Sequence, residues 1–163
     1  MIKYVFILFP LLVSMAFSQS IDKAYDSYLK TLDLTDEVPR LEPEQVDSGT
    51  SWLFLDTRPE AEFVVSHIPG AKRIGYMPRL PYVLEGLDKD QPIIVYCTVG
   101  WRSGQVGAWL QGLGFTKVYN LYGGILAWSN AEKPLEAQAK PTNKVHTYSE
   151  EFSPWLKRGV AVY

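Results

Sequence analysis

The run Ile93–Ser103 (IIVYCTVGWRS) constrains the fold of this chain more than any other stretch. Ile93, Ile94, Val95 and Tyr96 are β-branched or aromatic, and none carries a charge. A continuous apolar run of that length suits a strand covered on both faces, as in a parallel sheet with helices on each side. The single cysteine, Cys97, falls where that strand should end. From Ser103 the spacing turns helical, with Val106, Trp109, Leu110 and Leu113 on one stripe and Gly114 as the stop. Cys97 is therefore expected in a tight loop between a strand's carboxyl end and a helix's amino end, the edge at which open α/β sheets bind ligands. Consecutive backbone N–H groups in such a loop curve around an anion, and the helix adds a partial positive charge. A thiol so placed favours the thiolate, its reactive form. The competing reading is a small buried hydrophobe, the commoner fate of a lone cysteine.

The chain has 163 residues, room for one domain with a real core and little beyond it. Hydrophobic residues make up 47% and charged residues 21%, as in ordinary globular proteins. The formal net charge is −2 and no lysine- or arginine-rich run stands out, so the composition points away from nucleic acid as a partner. Two histidines and one cysteine do not make a dedicated zinc cluster, and neither a metal nor a cofactor is expected. Met1–Ser20 is of another kind: Lys3 gives a positive start, Tyr4–Val13 is almost unbroken apolar sequence, and Ala16-Phe17-Ser18 places small residues where a signal peptidase reads. Residues 1–18 are expected to be a secretory signal peptide cut before Gln19, with export to the periplasm or the extracellular space and no membrane anchor left behind. The apolar stretch is short for a span of about 20 residues. A single cysteine in an exported chain makes no internal disulfide; it is a free thiol or half of an intermolecular pair.

Ile21–Leu32 carries apolar residues at 21, 25, 28, 29 and 32, the stripe of an amphipathic helix, so residues 19–36 read as a helical extension. A short strand near Val38–Leu41 and a helical turn after Pro43 follow. Ser51–Asp56 is the next strand, with Asp56 at its carboxyl end, and Pro59 opens a short helix over Glu60–His67. Lys72–Tyr76 reads as a strand, Met77–Leu87 as irregular because of Pro78 and Pro81, Lys117–Leu121 as a further strand, and Ile125–Ala131 as a brief helix after Gly123-Gly124. Alternating strands and helices with short joints predict a parallel central sheet of four to five strands with right-handed crossovers and helices on both faces. The domain edge falls at Pro134–Thr142, and the aromatic tail that follows is expected to dock on the domain.

Four stretches in order resemble the rhodanese family of sulfurtransferases: Leu55-Asp56-Thr57-Arg58, His67-Ile68-Pro69-Gly70-Ala71, the Cys97–Ser103 loop, and Gly123-Gly124-Ile125-Leu126-Ala127-Trp128. The resemblance implies a rhodanese-like α/β domain over residues 37–135, followed by a tail over 136–163. It implies that Cys97 takes the sulfane sulfur of a small anion such as thiosulfate or a polysulfide, becomes a persulfide, and passes that sulfur to cyanide, a thiol or a protein. Backbone N–H groups of Thr98, Val99, Gly100, Trp101, Arg102 and Ser103 would hold the persulfide's charge. No general base is then required, and His67 and His146 need not be catalytic. By the same resemblance, Asp56 braces the base of the loop by pairing with Arg102, and Arg58 has a similar scaffold role. Phosphatases and arsenate reductases of this architecture place five residues between cysteine and arginine, where this chain has four, which suits a single sulfur atom. Members that prefer thiosulfate often carry a cation just after the cysteine, where this chain has Thr98, so the donor stays open. Trp101 fits either an apolar acceptor or partner, or packing against the tail. The alternative to an enzyme is a rhodanese-like module that binds a partner or senses sulfur without turnover.

Overall fold

A computed structural model describes residues 23–32 and 37–163. The expected signal peptide lies outside the described residues. A helix over residues 23–31 (α1) belongs to a unit of its own. Tyr25 and Leu29 are its buried residues, and Lys30 pairs with Asp26 one turn back, as an amphipathic helix requires.

The second unit is built on five parallel strands in the order β1-β5-β4-β2-β3: Arg40–Leu41 (β1), Leu53–Asp56 (β2), Lys72–Arg73 (β3), Ile93–Tyr96 (β4) and Val118–Leu121 (β5). All four residues of β4 are wholly buried, because it lies centrally and both its faces are covered. Side chains alternate along a strand. Ile93 and Val95 join Leu55, Val118 and Val38 in a cluster closed by Val106 and Leu110 of the helix Trp101–Gly112 (α3). On β2, whose residues alternate in the same way, Phe54 meets Trp128 of the helix Gly124–Asn130 (α4) edge to face at 5.5 Å. The helix Glu60–Val65 (α2) follows β2 after Pro59.

The expected elements form with shifted bounds. The strand expected over Lys72–Tyr76 stops at Arg73: the Ile74 N–H makes the last ladder bond to the Asp56 carbonyl, and Gly75, at φ 71°, turns its own N–H onto the same oxygen and ends the pairing. The central helix starts at Trp101, ahead of Ser103, because Gly100 at φ 108° turns the chain directly into it. Past α4, residues 134–142 make a small hairpin of Glu136–Ala137 (β6) and Lys140–Pro141 (β7), tied to His67 by a pair of backbone hydrogen bonds at 2.9 Å. Lys144–His146 (β8) and Val160–Val162 (β9) then pair in parallel, with Val145 fully buried.

Candidate active site

The loops after β2, β4 and β5 converge at the carboxyl edge of the sheet, and the β4 loop carries Cys97. Its thiol is free and only 1% of the residue is exposed. The Gly100 N–H donates to Cys97 Sγ at 3.1 Å, so the loop curls its backbone around the sulfur. The loop's carbonyls are held elsewhere. The Cys97 and Thr98 carbonyls accept from the N–H groups of Ile125 and Leu126 at 2.9 and 3.4 Å, two orphan donors in the first turn of α4. The Gly100 carbonyl accepts from Asn120 Nδ2 at 2.9 Å and from the Gly104 N–H at 3.1 Å. With these oxygens tied to the surrounding scaffold, the loop carries into α3 at Trp101, and the Gly100 N–H is the amide bonded to the sulfur, out of the set at residues 98–103 expected there. Such close approach requires glycine at 124: a Cβ there would stand 2.4 Å from the Cys97 oxygen and 2.5 Å from the Thr98 oxygen.

Side chains of the loop point to separate tasks. Thr98 donates its hydroxyl to Glu62 at 3.1 Å, Val99 is buried, and Ser103 donates to Asn120 Oδ1 at 2.8 Å. Trp101 is 40% exposed and lies edge-on to Tyr76 at 6.0 Å; Tyr76 in turn helps to line a cleft of about 330 Å³ with Met77, Arg73 and Arg102. Arg102 does not pair with Asp56. It donates through both terminal nitrogens to Glu62, at 2.9 and 3.1 Å, and to Thr98 Oγ1 at 2.8 Å. Burial alone would lower the Arg102 pKa, but the Glu62 hydrogen bond and the Cys97 sulfur outweigh it and leave the guanidinium above its ordinary value.

Asp56 is instead claimed by Arg58, two residues on. The Arg58 Nη2 donates to Asp56 Oδ2 at 2.6 Å and its Nε to Oδ1 at 3.0 Å, the planar fork matching the carboxylate. Arg58 Nη2 also reaches the Ser66 carbonyl at the end of α2. Both residues are completely buried beside the Tyr96 ring. Burial pulls the Arg58 pKa down, yet the Asp56 carboxylate holds it above its ordinary value, so the guanidinium stays charged. The expected brace therefore divides in two: Arg58 satisfies Asp56 locally, which frees Arg102 for Glu62. Sequence reasoning passed over Glu62 and Asn120. Glu62 gave no signal, being one of two acids on a short helix. Asn120 did, since an amide inside an apolar strand must find partners when buried. His67 stacks on Phe63 at 4.0 Å and lies 3.5 Å from Glu136, and His146 Nδ1 accepts the Tyr148 N–H at 3.1 Å; both serve the tail.

A parallel α/β domain with a cysteine cradled at the tip of its middle strand defines a recognisable class. The family model of the rhodanese-like domain matches residues 41–131, and the chain belongs to that family. A protein named sulfurtransferase from Allochromatium vinosum is 36% identical over 85 residues, covering 52% of this chain and 78% of that protein. A tRNA uridine(34) hydroxylase from Sodalis glossinidius is 35% identical over 105 residues, 61% of this chain but only 30% of that protein. Among solved structures, the rhodanese-like domain of an Anabaena sp. protein superposes with a TM-score of 0.56 at 25% identity, over 61% of this chain and 79% of that one. The hydroxylases correct one expectation. Relatives this similar are named for a tRNA uridine, so the composition does not exclude a nucleic-acid partner. Net charge averages the whole chain and carries no information about a local contact surface.

Proposed function

We propose that the chain is a sulfurtransferase that carries sulfane sulfur on Cys97. The observation that supports it most is the Gly100 amide bonded to a buried thiol at 3.1 Å, in a loop whose carbonyls are turned away. The Cys97 thiolate attacks the outer sulfur of a donor such as thiosulfate; the sulfur–sulfur bond of the donor breaks and sulfite leaves with the electron pair. The persulfide's charge then rests on the outer sulfur, within the field of the loop amides, the α3 amino end and Arg102. An acceptor such as cyanide, a small thiol or a protein thiolate attacks that outer sulfur, and the Cys97 thiolate returns. Thr98, Gly100 and Ser103 hold the loop's shape, while Asp56 and Arg58 fix the strand ends beneath it. The test is thiocyanate formation from thiosulfate or polysulfide and cyanide. Wild type should turn over with ping-pong kinetics and Cys97→Ser should not; equal rates in the two would overturn the reading.

The hydroxylase relatives favour a second reading, in which a tRNA uridine is among the domain's targets; it predicts binding of bulk tRNA by the full chain in a mobility-shift assay. Export is proposed on residues 1–18 alone. Mass analysis of the protein recovered from envelope and medium should give a chain beginning at Gln19, whereas recovery of intact Met1–Tyr163 in the cytosol would contradict it.

A further inference from the structure

The matched family segment ends at residue 131, yet the chain beyond it reaches the active-site loop. Strand β8 packs against α2, which supplies Glu62, and against α4, whose first amides hold the Cys97 and Thr98 carbonyls. Val145 and Thr147 are completely buried in that seam. The return of the tail is clamped to α4: Asn130 Oδ1 accepts from the Lys157 N–H at 2.7 Å, and Ser129 Oγ donates to the Arg158 carbonyl at 2.7 Å. Directly after Thr147 the backbone of Tyr148 turns left-handed, at φ 73°, a conformation that bulky residues avoid. Its N–H is held by His146 Nδ1 and its ring by Phe152, edge-on at 5.6 Å. The result is that the Tyr148 ring, although 58% of the residue is exposed, lies 5.4 Å from Cζ of Arg102. Glu62 and Thr98 take the terminal nitrogens of that guanidinium, and its carbon lies over the Tyr148 ring. Strain kept at an exposed aromatic that contacts a site residue points to function over packing.

We propose that Tyr148 is a positioning residue of the Cys97 site: it steadies the Arg102 guanidinium, which Glu62 and Thr98 anchor at the cysteine loop, and so biases the thiol towards anionic reagents. The proposal rests on Cys97 being the reacting sulfur and extends the site to a segment outside the family domain. A rigidly held cation next to the thiolate lowers the energy of an approaching anion and does nothing comparable for a neutral one. The test uses the full chain and two alkylating probes that differ in charge, iodoacetate and iodoacetamide. In each reaction the sulfur forms a thioether with the methylene carbon and iodide leaves. The ratio of the two rates is compared in wild type, Tyr148→Phe, Tyr148→Leu and Tyr148→Gly. Phe keeps the aromatic face and should keep the ratio. Leu and Gly should lower it roughly two- to five-fold, the range of an exposed cation–π contact. Glycine accepts the left-handed backbone without a Cβ penalty, so Tyr148→Gly should melt no lower than Tyr148→Leu while losing the same preference. An unchanged ratio in Leu and Gly, a Phe variant as impaired as Leu, or ratios that fall in step with melting temperature would overturn the proposal. Inertness of wild-type Cys97 to both probes would overturn it together with the catalytic reading. An anion preference that depends on Tyr148, found without any sulfur transfer, would overturn the catalytic reading alone.

Discussion

The strongest anchor of Arg102 is Glu62, a residue of α2 with 6% of its side chain exposed, which receives both guanidinium ends and the Thr98 hydroxyl. Hydrogen bonds to charged groups contribute about 1.5–3 kcal/mol each when buried, and removing one partner leaves the other uncompensated. Glu62→Ala should therefore destabilise the fold by about 1.5–3 kcal/mol in denaturant titration. It should also slow sulfur transfer beyond what the lost stability explains, because Thr98 and Arg102 both lose their anchor at the loop. Glu62→Gln, which keeps the shape and one acceptor, should fall between. Full activity in Glu62→Ala would mean that the loop holds its geometry through the α4 contacts alone. None of this was readable in the sequence. The arginine four residues past Thr98 marks itself through the loop motif, but its carboxylate comes from an acid 40 positions earlier, and only the packing of α2 against the loop selects Glu62 over Asp56.

At the level of elements, the strand–loop–helix unit around Cys97 was legible because its parts are local. An uncharged β-branched run, a glycine at the turn and a helical stripe each act within a few residues. The role of α4 was not, since Gly123-Gly124 reads equally well as a flexible turn. In the fold, Gly124 at φ 56° brings the start of α4 under the loop. Gly124→Ala should destabilise by more than about 1 kcal/mol, from the left-handed backbone alone, and should shift the Gly100 amide resonance as the Cys97 carbonyl is pushed away. Strand β4 carries a second consequence. Burial, with the Asp56 carboxylate beside it, raises the Tyr96 phenol pKa well above its ordinary value, while its oxygen accepts the Ile68 N–H at 3.2 Å. The native state then keeps a proton that the unfolded chain releases near pH 10, so stability should be intact below that pH and fall as pH rises above it. Alkaline unfolding followed by circular dichroism checks this: Tyr96→Phe should flatten the limb above pH 10, and a limb of unchanged slope would assign it to other groups.

Across the whole molecule, Asp56 and Arg58 join the end of β2 to the end of α2 and lie against Tyr96 of β4, all without solvent contact. Breaking a buried pair on one side costs about 3–5 kcal/mol, because the remaining charge stays in the core. Asp56→Ala should show a loss of that size, and the double change Asp56→Ala with Arg58→Met should be less damaging than Asp56→Ala alone. The fold class and the strand carrying the cysteine could be read from the chain because apolar runs and turn residues encode them directly. Which charge meets which could not, since partners are chosen by three-dimensional packing. The tail carried only its aromatic content as a hint, with no periodicity to show that it would end on the loop. The central claim is that Cys97 stores a sulfur atom. Intact-mass measurement of freshly reduced protein after exposure to thiosulfate or polysulfide tests it directly. A single addition of about 32 Da, removed by cyanide or dithiothreitol and absent from Cys97→Ser, is the predicted result; wild-type protein that gains no such mass from either donor would contradict the account.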